Sequence, residues 1–113
     1  MARAATTSDV YNAIAEPRRR AILELLCEAE RAVNEVVDEL GFEQSSVSKH
    51  LRVLKEVNLV SMRRRGRQRI YSANADGLRT VHDWVKSFER LWNHQLDTIQ
   101  ARAEAKQRTK RSR

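Results

Sequence analysis

The side chains best equipped for chemistry in this 113-residue chain are cations, and they are unevenly spread. Residues 44–69 hold eight (Lys49, Arg52, Lys55, Arg63, Arg64, Arg65, Arg67 and Arg69) against one acid, Glu56. Residues 102–113 hold six (Arg102, Lys106, Arg108, Lys110, Arg111 and Arg113) against Glu104. The remainder is acidic, with eight bases and thirteen acids. Two concentrated basic patches on an otherwise acidic chain suit a polyanionic partner. No aromatic residue lies between positions 44 and 69, so platforms for stacking unpaired bases are lacking there, and a duplex is the better match. Catalysis would need a nucleophile with a base, paired acids or an open metal site. His50, His82 and His94 fall in helical stretches without an evident Ser or Cys partner, and the three glycines form no phosphate loop, so an enzyme is not expected.

The elements that must position these cations follow from periodicity. The length is that of one domain, and 41% apolar residues suffice for one small core. A lone cysteine, Cys27, excludes an internal disulfide framework, fits a reducing cytoplasm and reads as a small hydrophobe on the second helix. Residues Met1 to Ser8 lack the apolar core of a signal peptide, and no apolar run approaches the length of a membrane span, so a soluble cytoplasmic protein is expected.

Ser8 is a plausible N-cap for a short helix over 8–15, with Val10 and Ile14 one turn apart. Pro17 suits the start of a second helix, 17–29, carrying Ala21, Ile22, Leu25, Leu26 and Ala29 on one face. A third, 33–40, turns Val33, Val36, Val37 and Leu40 inward and ends at Gly41. After the turn Gly41-Phe42-Glu43, a fourth helix over 44–56 has Val47, Leu51 and Leu54 as its apolar stripe, with Ser45, Lys49 and Arg52 opposite. Two helices joined by a short glycine-containing turn, the second exposing short polar and basic side chains, make a helix-turn-helix.

Residues 59–63 and 69–73 then read as two strands around the turn Arg64-Arg65-Gly66-Arg67-Gln68, a β-hairpin whose arginine-rich tip is a wing. The expected fold is therefore mainly α with a β-hairpin wing, a winged helix-turn-helix. A last helix from 76 to about 101 places Leu78, Val81, Val85, Phe88, Trp92 and Ile99 at heptad spacing, with Gln95 in the remaining slot and Trp84, Leu91 and Leu96 widening the stripe. So long an apolar seam exceeds what one small domain can cover, and self-association is expected. The domain is assigned to residues 8–100. Residues 101–113 form a basic tail whose first part can extend the helix and whose remainder is expected to be disordered.

Three blocks, Asn12-Ala-Ile-Ala-Glu-Pro-Arg-Arg-Arg-Ala-Ile-Leu-Glu-Leu-Leu26, Val33-Asn-Glu-Val-Val-Asp-Glu-Leu-Gly41 and Gln44-Ser-Ser-Val-Ser-Lys-His-Leu-Arg-Val-Leu-Lys-Glu-Val-Asn-Leu-Val60, occur in order at matching separations. Together with the wing and last helix, they resemble the ArsR/SmtB family of bacterial winged-helix repressors over residues 8–100. The resemblance implies a homodimer built through the first and last helices (Val10, Ile14, Val81, Val85, Phe88, Trp92 and Ile99). It further implies a fourth helix in the major groove of a pseudo-palindromic operator, and release by an unidentified effector.

Gln44, Ser45, Ser48 and Lys49 match the family's DNA-contacting positions. Chemically, Gln44 can pair with adenine, Lys49 can reach guanine O6/N7 or a phosphate, and both serines can donate at close range. Arg52 suits a phosphate, while Arg64, Arg65 and Arg67 suit the backbone or minor groove. His50 is open between packing and contact. Glu43 departs from the Ser or Thr usual at its position and caps a helix less well.

Metal-responsive members often carry a Cys-x-Cys pair where this chain has Ala32-Val33-Asn34, and no thiolate is present there. Other members bind zinc between paired last helices. Asp83, His94 and Asp97 lie near one stripe of a continuous helix, but Val81-His82-Asp83 departs from the family's Asp-x-His. No metal or cofactor is therefore expected. A zinc-responsive repressor and a non-specific architectural protein are the alternatives.

Overall fold

A computed structural model describes residues 9–111, with side chains as far as Lys106. The order is α1 (Val10–Ala15), α2 (Pro17–Glu28), β1 (Arg31–Ala32), α3 (Val33–Leu40), α4 (Gln44–Glu56), β2 (Val60–Arg65), β3 (Gln68–Ala73), α5 (Ala75–Lys86) and α6 (Glu89–Arg111). It falls into two compact units, divided between Val81 and His82.

The first unit holds the core. Ala13, Ile22, Val36, Val47, Leu51, Leu54 and Leu59 are fully buried, with Leu23, Leu26, Val57, Val60 and Tyr71 nearly so. Every α4 residue assigned inward from sequence is buried, whereas α2 buries Leu23 and leaves Ala29 and Cys27 exposed. The cysteine, expected as a small hydrophobe on this helix, is exposed. Position 27 follows the buried Leu26 and has turned off the apolar face.

Helix ends are set by local hydrogen bonds. Asp9 caps α1 by accepting from Tyr11 N at 2.7 Å, while Ser8, the cap expected from sequence, lies outside the described residues. Glu16 caps α2 by accepting from Arg18 N at 2.8 Å, with Pro17 supplying the first helical residue. α3 ends at Gly41 (φ 72), whose N–H donates to Val37 O.

The sheet is three-stranded, in the order β1-β3-β2 and antiparallel throughout. The hairpin strands reach further than expected, and the five-residue turn shrinks to Gly66-Arg67. Gly66 at φ 64 supplies the positive φ that such a two-residue turn requires. β1 is an addition: two residues are too few to leave a periodic signal.

The largest difference is in the last helix, which is two helices. Ser87 N donates to Asp83 O and also to Trp84 O, and its hydroxyl donates to Trp84 O at 2.6 Å. Phe88 N bonds Val85 O, three residues back. These contacts tighten the chain and end α5 at Lys86, serine back-bonding being a known cause of helix bending. α6 then continues to Arg111, so residues 107–111 are helical where composition suggested disorder. From His82 to Lys106 no residue is buried.

The joint between α4, β2 and α5 is close. Asn58 is the sole non-glycine residue at positive φ (66) among those described, and it ends α4 with Leu59 N donating to Leu54 O. Asn74 Nδ2 donates to Asn58 O (3.1 Å) and Oδ1 (3.0 Å), and Asn74 Oδ1 accepts from Asp76 N. A Cβ on Gly77 would lie 1.8 Å from Asn58 O. Gly77→Ala should therefore lower stability by about 1–3 kcal/mol, the range for overpacking. Asn58→Gly, which relieves a positive φ, should cost far less. Urea midpoints for both variants test this, and equal effects would show that the contact at Gly77 is unimportant.

Candidate nucleic-acid interface

α4 is held by the burial of Val47, Leu51 and Leu54, which fixes its rotation and hence what it presents. Gln44, Ser45, Ser48, Lys49 and Arg52 are all exposed. Helical spacing divides them. Ser45 and Lys49 lie directly opposite the buried stripe, while Gln44, Ser48 and Lys55 lie toward one flank, with Arg52 between.

That flank faces the wing across two adjoining depressions of about 260 and 290 Å³. The first is lined by Asn34, Gln44, Ser48, Arg67, Gln68 and Arg69, together with Ala32 and Val33. The second is lined by Ser48, Arg52, Lys55, Arg64 and Arg69, with Val33, Met62 and Tyr71 at its apolar base. Gln44, Ser48, Arg52, Arg64 and Arg67 are thus brought together; Ser45, Lys49 and Arg65 line neither depression.

Arg69 and Lys55, counted in the basic patch but given no contact from sequence, join the surface, as do Gln68 and Asn34, which sequence reasoning did not select. Arg69 sits directly opposite Arg64 in the ladder, and Met62 opposite Tyr71. A two-residue turn creates that register; the expected five-residue turn concealed it. Lys55 follows Gln44 by eleven residues, three helical turns, and this signal was available.

The wing cations are sorted by pairing. Arg63 bonds Glu30 at 2.6 Å and Arg31 bonds Glu39 at 2.6 Å. Lys49, Arg52, Lys55, Arg64, Arg65, Arg67 and Arg69 have no ion pair among the described residues. Arg64 and Arg69 are opposed across the ladder, and like charges in such a pair are destabilising. Glu43 makes no side-chain cap bond, as its chemistry suggested, leaving the first-turn N–H groups of α4 without a side-chain acceptor from it.

His50 is half-buried, with its ring beside Arg19 of the second helix. Its Nδ1 lies 3.5 Å from Arg19 Nη1, and Arg19 also donates to Ala13 O (2.6 Å) and Asn12 O (3.4 Å). Burial and then the Arg19 charge hold the His50 pKa below its ordinary value, with Glu16 opposing and Arg18 reinforcing the shift.

The residues expected at a dimer seam divide. Val10 and Ile14 are half-buried against the chain's own core, and Val81 is half-buried. Trp84, Val85, Phe88, Leu91, Trp92, Leu96 and Ile99 are 40–58% exposed. Trp84 and Phe88 meet edge to face, with ring centroids 5.4 Å apart. The break at Ser87 and Phe88 interrupts the stripe on which Asp83, His94 and Asp97 were aligned. Among the described residues no three His, Cys, Asp or Glu side chains form a metal-sized cluster, and Asp83 instead lies 3.4 Å from His82 Nδ1. No described helix is long and apolar enough to cross a membrane.

The family model described as bacterial regulatory protein, arsR family, matches residues 16–62. The transcriptional repressor SdpR of Bacillus subtilis is 31% identical over 81 residues, covering 72% of this chain and 90% of that protein. The HTH-type transcriptional regulator Rv2034 of Mycobacterium tuberculosis is 35% identical over 86 residues, covering 76% and 78%. Among solved structures, the homodimeric winged helix-turn-helix DNA-binding domain Mb0332 of Mycobacterium bovis matches with TM-score 0.59 and 33% identity, covering 70% of this chain and 76% of that one. An ArsR-like regulator from Rhodococcus matches in fold with TM-score 0.65 at 24% identity, covering 84% and 90%.

The direction of the His50 shift sets a pH dependence. A histidine whose pKa is depressed on folding favours the state with fewer bound protons, so stability holds at neutral pH. It falls as pH drops below about 6.5 toward the folded value. Glu16, whose pKa is lowered chiefly by the Arg18 N–H, loses its contribution in a separate, more acidic window. Urea midpoints at pH 7.5 and about 5.5 should fall for the native chain and change much less for His50→Gln, which keeps an acceptor for Arg19. An equal fall in both would assign the acid sensitivity elsewhere.

Proposed function

The chain belongs to the arsR family of bacterial regulatory proteins, a DNA-binding transcription regulator with a winged helix-turn-helix, and from that premise we propose that it is a homodimeric repressor. It binds a pseudo-palindromic operator and is released by an unidentified effector. The observation that carries the reading is the convergence of one α4 flank and the wing on a common concave surface whose cations lack acid partners among the described residues.

In this reading α4 enters the major groove. Ser45 and Lys49, opposite the buried stripe, meet base edges with Gln44 and Ser48 beside them. Arg52, Lys55, Arg64, Arg67 and Arg69 hold phosphates, and Arg65 adds charge at the wing tip. Two-fold symmetry then sets half-sites about one helical turn apart. Support for the repressor sense comes from the name of SdpR, and support for pairing from the homodimeric Mb0332 domain and the uncovered aromatic face of the second unit.

Fluorescence anisotropy near physiological salt, comparing the duplex upstream of the gene with a scrambled one, tests the reading. A preference of about 10³-fold or more is expected. Lys49→Ala should reduce that preference by about 1–3 kcal/mol if it reads a base. Arg64→Ala and Arg69→Ala should weaken both duplexes alike and lower the salt slope by about 0.9 for each phosphate that is no longer neutralised. Equal affinity for the two duplexes would favour an architectural role.

Phe88→Arg and Trp92→Arg should yield a folded monomer with greatly weakened operator binding, although neither residue reaches DNA. Sedimentation with anisotropy reads both properties. A monomer that binds the operator at full strength would sink the dimer.

A further inference from the structure

The second unit ends in a feature that neither pairing nor α4 explains. α6 has 23 residues, and its apolar face stops at Ile99. Residues 100–111 contain no apolar side chain larger than alanine, yet the helix continues through them. Positions 91, 95, 99, 102, 106 and 110 advance by fours and a three, so they share one face. Along that face leucine, glutamine and isoleucine give way to arginine and two lysines.

Arg102 and Lys106 are exposed and have no ion pair among the described residues. Cations spaced by four along a helix repel, and Glu104, the segment's single acid, lies away from this face, spaced by four from Arg108. Past Ile99 the face therefore offers a second copy no apolar surface to bury. The charges of Arg102 and Lys106 on it, unpaired among the described residues, match a row of phosphates, whose condensed counterions are released on binding.

We propose that the 102–106–110 face of α6 is a sequence-independent phosphate-binding arm for duplex DNA. It adds affinity without specificity. The inference rests on the DNA-binding reading above and is tested separately from it.

The test uses the full chain and the triple variant Arg102→Gln, Lys106→Gln, Lys110→Gln, titrated against a long scrambled duplex and the upstream duplex at several salt concentrations. The salt slope should fall by about 0.9 for each phosphate the arm no longer neutralises, with both duplexes weakened about equally and their ratio unchanged. Arg108→Gln with Arg111→Gln, off this face, should leave the slope near that of the native chain. An unchanged slope in the triple variant overturns the arm while leaving the regulator reading intact. An equal fall in the off-face variant overturns the assignment to one face, and a changed preference between duplexes overturns sequence independence. Sedimentation of the triple variant should show the native oligomeric state, and dissociation would assign the face to self-association instead. If the native chain binds neither duplex, the regulator reading fails and the arm fails with it.

Discussion

Burial of Val47, Leu51 and Leu54 is the constraint on which the interface depends. A helix anchored by three fully buried side chains on one stripe cannot rotate without exposing them, at about 1.5–3 kcal/mol per aliphatic side chain. What the remaining faces present is therefore decided by packing. Ser45 and Lys49 are held opposite the stripe, and the Gln44, Ser48, Lys55 flank is held toward the wing. The same core sets the wing, because Leu59 and Val60 are buried where α4 gives way to β2, and Tyr71 is buried across the ladder. The left-handed Asn58 makes that transition, and Asn74 ties it to the start of α5.

Electrostatics then separates structural cations from available ones. Arg31 and Arg63 are drawn onto Glu39 and Glu30, near β1 and the base of the wing. Arg19 and Arg20 donate to carbonyls at the end of α1, which the bend at Glu16-Pro17 leaves without helical partners. None of these four lines the concave surface. The cations that do are exposed, and Arg64 and Arg69 among them are opposed across the ladder, where like charges are unfavourable. An exposed ion pair adds little stability, so Arg63–Glu30 matters more for where it holds the arginine than for energy.

The elements that carry the interface were legible because their signals are local. The α4 stripe, Gly41 at the end of α3 and the glycine-centred hairpin each follow from spacing alone. What was missed depended on register or on chain geometry. Arg69 acquires its place only when the turn is two residues long, a difference that composition does not distinguish. β1 exists because β3 offers it an edge. The break at Ser87 is invisible to a heptad count, because Phe88 keeps the apolar spacing while the serine hydroxyl bonds back to Trp84 O. The same break interrupts the continuous helix on which Asp83 aligns with His94 and Asp97 in the sequence. His50 was ambiguous in sequence because its partner, Arg19, lies 31 residues away.

The acidic remainder of the chain completes the argument about recognition. Outside the two basic segments, acids outnumber bases by thirteen to eight, so the charge of the remainder opposes a polyanion while that of the two basic segments attracts it. A net charge of +7 spread evenly would raise encounter rates in every orientation, productive or not. Segregated charge instead creates a field that turns the molecule as it approaches, and it penalises approach by the wrong face. Because surface potentials decay over about 8 Å at physiological salt, this orientation acts only at close range. There the buried stripe of α4 has already fixed which side chains arrive first.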